Sequence, residues 1–202
     1  MSQALSANPA PQLALAAYQN SLAALIRPSI RTYTLLGQQR AGLWHAYLLM
    51  FAGSLVAGLI ESLGPFGSQL IAQGSFDALL LAMIPVAALI AVCSLAAFAW
   101  CAHIGARLFK GTGAQAQLAY VMAAISAPLL IGVSILDQIP AARMFLLVAY
   151  LYWLVQYILA IRAVHGLGWL KATLALLLAL LALGLVWLGI GLLVGYSGIL
   201  LP

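Results

Sequence analysis

Five stretches of mainly apolar residues, each about as long as the roughly 20 residues that a helix needs to cross a bilayer, dominate this chain of 202 residues. They run over about 41–61, 78–102, 115–136, 143–162 and 171–194. With 66% apolar and 5% charged residues and a mean hydropathy of +1.13, the chain cannot cover a globular surface with polar groups. Lipid is the expected solvent. In hydrocarbon every backbone N–H and C=O must be satisfied internally, which leaves helices and closed barrels, and these runs are far longer than the roughly ten-residue alternating strands of a barrel. The expected fold is an all-α, polytopic, five-span membrane protein.

The charged residues orient it. Arg27, Arg31 and Arg40 precede the first span, Arg107 and Lys110 follow the second, and Arg162 and Lys171 flank the turn between the fourth and fifth. Glu61, Asp77 and Asp137, all the acids in the chain, alternate to the other side with Arg143 alone for basic company. Lys and Arg near span ends favour the cytoplasm, so the N-terminus is expected inside, the C-terminus outside, and 195–202 as an outside tail. The net charge of +5 is dispersed at span ends and does not point to nucleic acid.

Residues 1–40 form a cytoplasmic or interfacial N-terminal segment. Leu15, Tyr18, Leu22, Leu25 and Ile26 recur at helical spacing, and Pro28 suits the first turn of a second short helix that aligns Ile30, Tyr33 and Leu36. With no Lys or Arg before Arg27 and polar Gln19, Asn20 and Ser21 within the apolar stretch, a cleaved signal peptide is not expected.

Candidate chemistry is sparse. No Lys, Arg, Asp or Glu stands in mid-span, so no proton relay or ion pathway is expected. His45, His103 and His165 fall on one side with Cys101, but Cys101 and His103 are two residues apart on one helix and diverge by about 200°, so no metal site is expected. Cys93 and Cys101, eight residues apart on that helix, are too distant to bridge each other. Ser126 has no basic partner at comparable depth, so no catalytic group and no cofactor are assigned. Gly111 and Gly113 beside Lys110 lack P-loop spacing and a preceding strand.

Packing signals are stronger. Gly53 with Ala57, Ser54 with Gly58, and Gly191 with Gly195 form small-xxx-small pairs that let helices approach closely. Pro85 and Pro128 lie inside spans and are expected to bend them. Gln156, between Tyr152 and Tyr157, is the most polar side chain near mid-bilayer and is expected to find a partner across a helix interface.

Three passages together resemble the Yip family, the Ypt/Rab-interacting five-span membrane proteins, in a compact prokaryotic form. They are RPSIRTYTLL, led by Pro28; HIGARLFKGTGAQAQLAYVMAAISAPLL, with Tyr120 and Ala127-Pro128 in the third span; and YWLVQYILAIRAVHGLGWLKATLALLL, where Arg162 and His165 end the fourth span and a Gly166-Leu167-Gly168 turn leads to Lys171. The resemblance supplies no catalytic residues, and with no charge in mid-span a non-enzymatic protein is expected; the Ala/Leu-rich brevity of the chain suggests a bacterial inner membrane. Eukaryotic members use a longer N-terminal region to contact prenylated Rab-type GTPases, and the region here offers no acidic or aromatic docking stretch. The expected role is helix–helix contact, as an oligomer or an accessory subunit among lipids and other membrane proteins. The alternative is a small transporter or lipid-handling protein with a cavity among the second, third and fourth spans, shaped by Pro85, Pro128 and Gln156.

Overall fold

The computed structural model describes residues 25–38, 42–64 and 78–200. The expected helix through Leu15 and Leu22, Arg40, Asp77 and most of the first loop lie outside these residues. Among the described residues the helices run in the order α1 (Ile30–Gln38), α2 (Leu43–Leu63), α3 (Ala78–Leu108), α4 (Gln115–Asp137), α5 (Leu146–His165) and α6 (Trp169–Leu200), with a short 3-10 helix, Pro140–Phe145, before α5. No strand occurs among the described residues. The five helices α2 to α6 are each long and apolar enough to cross a membrane.

Several helices overrun the apolar windows that reveal them. α3 has 31 residues, about 46 Å at 1.5 Å per residue, against a hydrocarbon thickness of about 30 Å. Hydrogen bonding continues past the hydrocarbon edge, and His103 and Arg107 are therefore helical. At the start of α1 the Ser29 hydroxyl accepts the Thr32 N–H at 3.0 Å, which makes Ser29 the cap and leaves Pro28 exposed one residue before it. α5 stops where Gly166 adopts φ 65°, the left-handed conformation that glycine takes without a Cβ clash.

The bundle is built around α4. In its span 67% of the residues are buried inside the protein, against 28% or less in each of the other four, because α4 touches α1, α2, α3 and α5. Its small residues permit this. Ala119, Ala123, Ala124, Ser126 and Ala127 are all buried. α3 packs against α6 and α2, and α6 otherwise touches only α5.

α1 is amphipathic as its spacing predicts, and it buries Tyr33, Leu36 and Gly37 against α5 and α4. The Tyr152 hydroxyl donates to the Leu25 carbonyl, while a Cβ on Gly37 would lie 3.6 Å from Val164. Both pairs are separated by the same 12 residues, so this segment runs parallel to the second half of α5 for about 18 Å. Burial, reinforced by Tyr152, pushes the Tyr33 phenol above its ordinary range.

Candidate functional site

Glycine placement shows which predicted packing signals are used inside the chain. A Cβ on Gly53 would sit 2.6 Å from the Ala127 Cβ, so α2 and α4 meet there with no room for a side chain. A Cβ on Gly58 would lie 3.1 Å from Ile84 of α3. Gly191 meets nothing within 4 Å, and neither do Gly184 and Gly189. Gly195 falls on α6, outside the residues whose surroundings are described.

Polar groups in the middle of the bundle are few, and Ser126 and Tyr157 are paired while Ser54, Trp153 Nε1 and Gln156 are not. Ser126 is fully buried on α4; its hydroxyl donates to the Met122 carbonyl at 2.6 Å and lies 2.6 Å from the Tyr157 hydroxyl of α5. A serine has one proton to give, so Tyr157 must be the donor in the second bond. With its proton committed to a carbonyl and no base beside it, Ser126 is a structural link between α4 and α5. Gln156 is also fully buried, but the expected cross-helix bond is not made: neither amide atom has a partner in hydrogen-bond geometry, although Tyr152, one turn away, is within electrostatic reach. At the far end, Ser134 donates to Glu61 at 2.7 Å, and Arg143 pairs with Asp137 at 3.2 Å.

Beside this core lies an apolar cleft of about 440 Å³, open to the side. Phe98 and Leu95 of α3, Trp153 and Tyr150 of α5, and Leu180 and Leu183 of α6 line it, together with Leu130 of α4 and Met50 of α2. Phe98 and Tyr157 meet at 5.1 Å between ring centroids, and Trp153 packs edge-on to Tyr157 at 6.3 Å. Bulky rings thus keep the walls apart. A cavity is expected among the second, third and fourth spans; the cleft is lined mainly by spans 2, 4 and 5, and the third span contributes Leu130 alone.

Family-like residues gather at one end of the bundle. The loop after α3 turns through Lys110, at φ 66°, and is latched onto the end of α5. Thr112 N–H donates to the His165 carbonyl at 3.3 Å, Arg107 donates to the Gly111 carbonyl at 3.4 Å, and a Cβ on Gly113 would fall 2.2 Å from the Val164 carbonyl. His165 is buried with its ring 5.2 Å from that of His103, and both of its ring nitrogens lack partners. Arg162 donates to the Leu167 carbonyl at 3.4 Å and stacks 4.1 Å over Trp169, across the tight turn into α6. Lys171 is exposed in the first turn of α6. Tyr120, Ala127 and half-buried Pro128 stand apart from this end, along α4. Among the described residues no three His, Cys, Asp or Glu come together.

Hydropathy had no means of finding the cleft, because its lining is as apolar as any lipid-facing surface. Compared with known sequences, residues 22–191 match the profile of the Yip1 domain. Neither the curated proteins nor the solved structures include a match to the chain.

Proposed function

From the premise that this chain belongs to the Yip1 domain family, we propose that it is a non-enzymatic membrane protein that takes up an acyl chain in its lateral cleft. The cleft carries this proposal: an opening of about 440 Å³ with apolar walls, in a bundle read as immersed in lipid, suits a hydrocarbon tail and offers nothing for an ion. The bonding of Ser126 supports a non-catalytic role. A phosphatidylcholine carrying a photoreactive group near the end of one chain tests it. Labelling is expected to concentrate on the cleft-lining segments of α3, α5 and α6 and to fall when Leu183→Trp fills the opening. Uniform labelling of every lipid-facing surface, indifferent to that substitution, refutes it.

A second role, helix–helix contact as an oligomer or accessory subunit, is favoured by the second half of α6. Gly184, Gly189 and Gly191 have no neighbour within 4 Å, and Trp187 beside them is exposed. Native mass measurement in mild detergent separates the two. Companions lost in Gly191→Leu support contact through this face, whereas a strictly monomeric particle with bound lipid leaves the cleft as the working surface. The setting proposed for both is a bacterial inner membrane, with the basic end of the bundle toward the cytoplasm.

A further inference from the structure

The depth of α1 follows from what it touches on α5. The span Pro140–His165 has Tyr152 near its midpoint and Val164 next to its end. The Tyr152 hydroxyl donates to the Leu25 carbonyl, and Gly37 packs against Val164. Residues 25–37 therefore climb from the middle of the bilayer to the basic end, and α1 does not lie flat along the surface. The 12 residues of α5 between these two contacts measure about 18 Å, which is the depth of one leaflet in a hydrocarbon core about 30 Å thick.

Most polar side chains on this path are satisfied within it, as lipid requires. Ser29 Oγ lies 2.7 Å from Thr32 Oγ1 and accepts the Thr32 N–H at 3.0 Å, while the Thr34 hydroxyl donates to the Ile30 carbonyl at 2.9 Å. Arg27 and Arg31 differ. Both are exposed, and the one ion pair among the described residues is Arg143 with Asp137. The three acids of the sequence, Glu61, Asp77 and Asp137, all adjoin the ends of α2, α3 and α4 that lie away from the basic end, so the counter-charge has to come from outside the chain. Arg31 stands six residues, about 9 Å, below Gly37, and its long side chain can carry the charge back toward the interface. Arg27 is four residues deeper, only two from Leu25. From there snorkelling falls short, and an arginine so placed draws headgroups and water down to itself. Because its surroundings are lipid, the anion at hand is the lipid phosphate, whose oxygens match the fork of a guanidinium.

We propose that the lipid-facing side of residues 26–32 binds a phospholipid by its phosphate, held on Arg27 below the level of the surrounding headgroups, so that the leaflet is thinned beside α1 and α5. This surface is independent of the acyl-chain cleft, whose lining takes in Tyr150 and Trp153 of α5 but not Tyr152.

The test uses the full-length protein, with isotope-labelled guanidinium carbons, in vesicles of phosphatidylcholine and phosphatidylglycerol in phosphate-free buffer, so that all phosphorus belongs to lipid. Solid-state NMR dephasing of each Cζ by phosphorus reads contact, and relaxation by a nitroxide midway along the acyl chains reads depth. Arg27→Leu, an exchange at an exposed site, assigns the signal, with Arg27→Lys in its place should the leucine variant not fold. The expected result is an Arg27 Cζ that is dephased by phosphorus and relaxed more strongly by the nitroxide than that of Arg107, which stands past the hydrocarbon edge. That component is lost in either variant. Absence of phosphorus dephasing at Arg27 overturns the proposal, since the charge is then met by another protein's carboxylate or by water. Dephasing with a nitroxide effect no greater than at Arg107 also overturns it, because the phosphate is then at the ordinary headgroup level.

Discussion

The contact between Gly53 and Ala127 gives the most exacting test of how this bundle is held. A Cβ on Gly53 would lie 2.6 Å from the Ala127 Cβ and 2.9 Å from its Cα, whereas carbon atoms rest about 3.5–4.0 Å apart, so Gly53→Ala forces α2 and α4 apart by about 1 Å. Overpacking of this kind costs about 1–3 kcal/mol, or about 5- to 150-fold in the folded-to-unfolded ratio. For a chain of this size that corresponds to about 2–4 °C in melting temperature for each kcal/mol. Moving the methyl across the interface, in Gly53→Ala/Ala127→Gly, removes the worse contact and leaves the Cα at 2.9 Å, so recovery should be partial. Gly191→Ala is the control, since nothing lies within 4 Å of it. Thermal and SDS-induced unfolding in detergent, followed by tryptophan fluorescence, gives the ranking. If Gly53→Ala melts with Gly191→Ala, the close approach of α2 and α4 is not what sets this core.

Three further outcomes are expected. Ser126→Ala strands the buried Tyr157 proton and should cost about 1–3 kcal/mol, Tyr157→Phe should cost less because Ser126 keeps its bond to Met122, and the double variant should match Tyr157→Phe in the same unfolding assay. Gly113→Ala, whose Cβ would fall 2.2 Å from the Val164 carbonyl, should melt well below Gly168→Ala, which meets nothing within 4 Å; equal melting would show that the loop is not latched to α5. For Tyr33 the folded state raises the pKa above 10.0, so docking of α1 is fully favoured below about pH 10 and weakens as pH rises further, where the undocked phenol ionises and the docked one resists. Ultraviolet titration of wild type against Tyr33→Phe should show this phenolate appearing late, and an ordinary titration would contradict the burial.

How much was legible in the sequence follows from what lipid demands of a chain. The number and order of spans were legible because roughly 20 apolar residues are the minimum for crossing, and charges mark where crossing ends. Gly53 and Gly58 were recognisable as packing glycines, but nothing in their spacing says that Ala127 and Ile84 face them. The central place of α4 left a trace in its density of Ala and Ser, against the Leu-rich α6, because only small side chains let several helices approach at once. The cleft left none. Within a bilayer the inward and lipid-facing sides of a helix are alike apolar, so Phe98, Trp153 and Leu183 read as ordinary span residues. The meeting of His103 with His165 was hidden as well, since it depends on how the end of α3 packs against the end of α5, which no spacing along the chain reveals.

The cleft is the consequence of where small and large residues fall along the same three helices. At the basic end, Gly105 lets the Ala175 backbone of α6 come within 3.1 Å of where a Cβ would stand, and the Gly166–Gly168 turn ties α5 to α6. About two to three turns away the facing residues become Phe98, Trp153 and Tyr157, and α3 and α5 touch only slightly. The Tyr157 bond to Ser126 holds this side of α5 on α4 and so prevents the aromatic rings from moving out to close the gap. Helices pinned at one end and held apart by rings in the middle must leave a wedge. Because each helix carries its basic residue at the pinned end, the apolar gap lies about 14 to 18 Å along the helix axes from those residues, a separation set by helix rise.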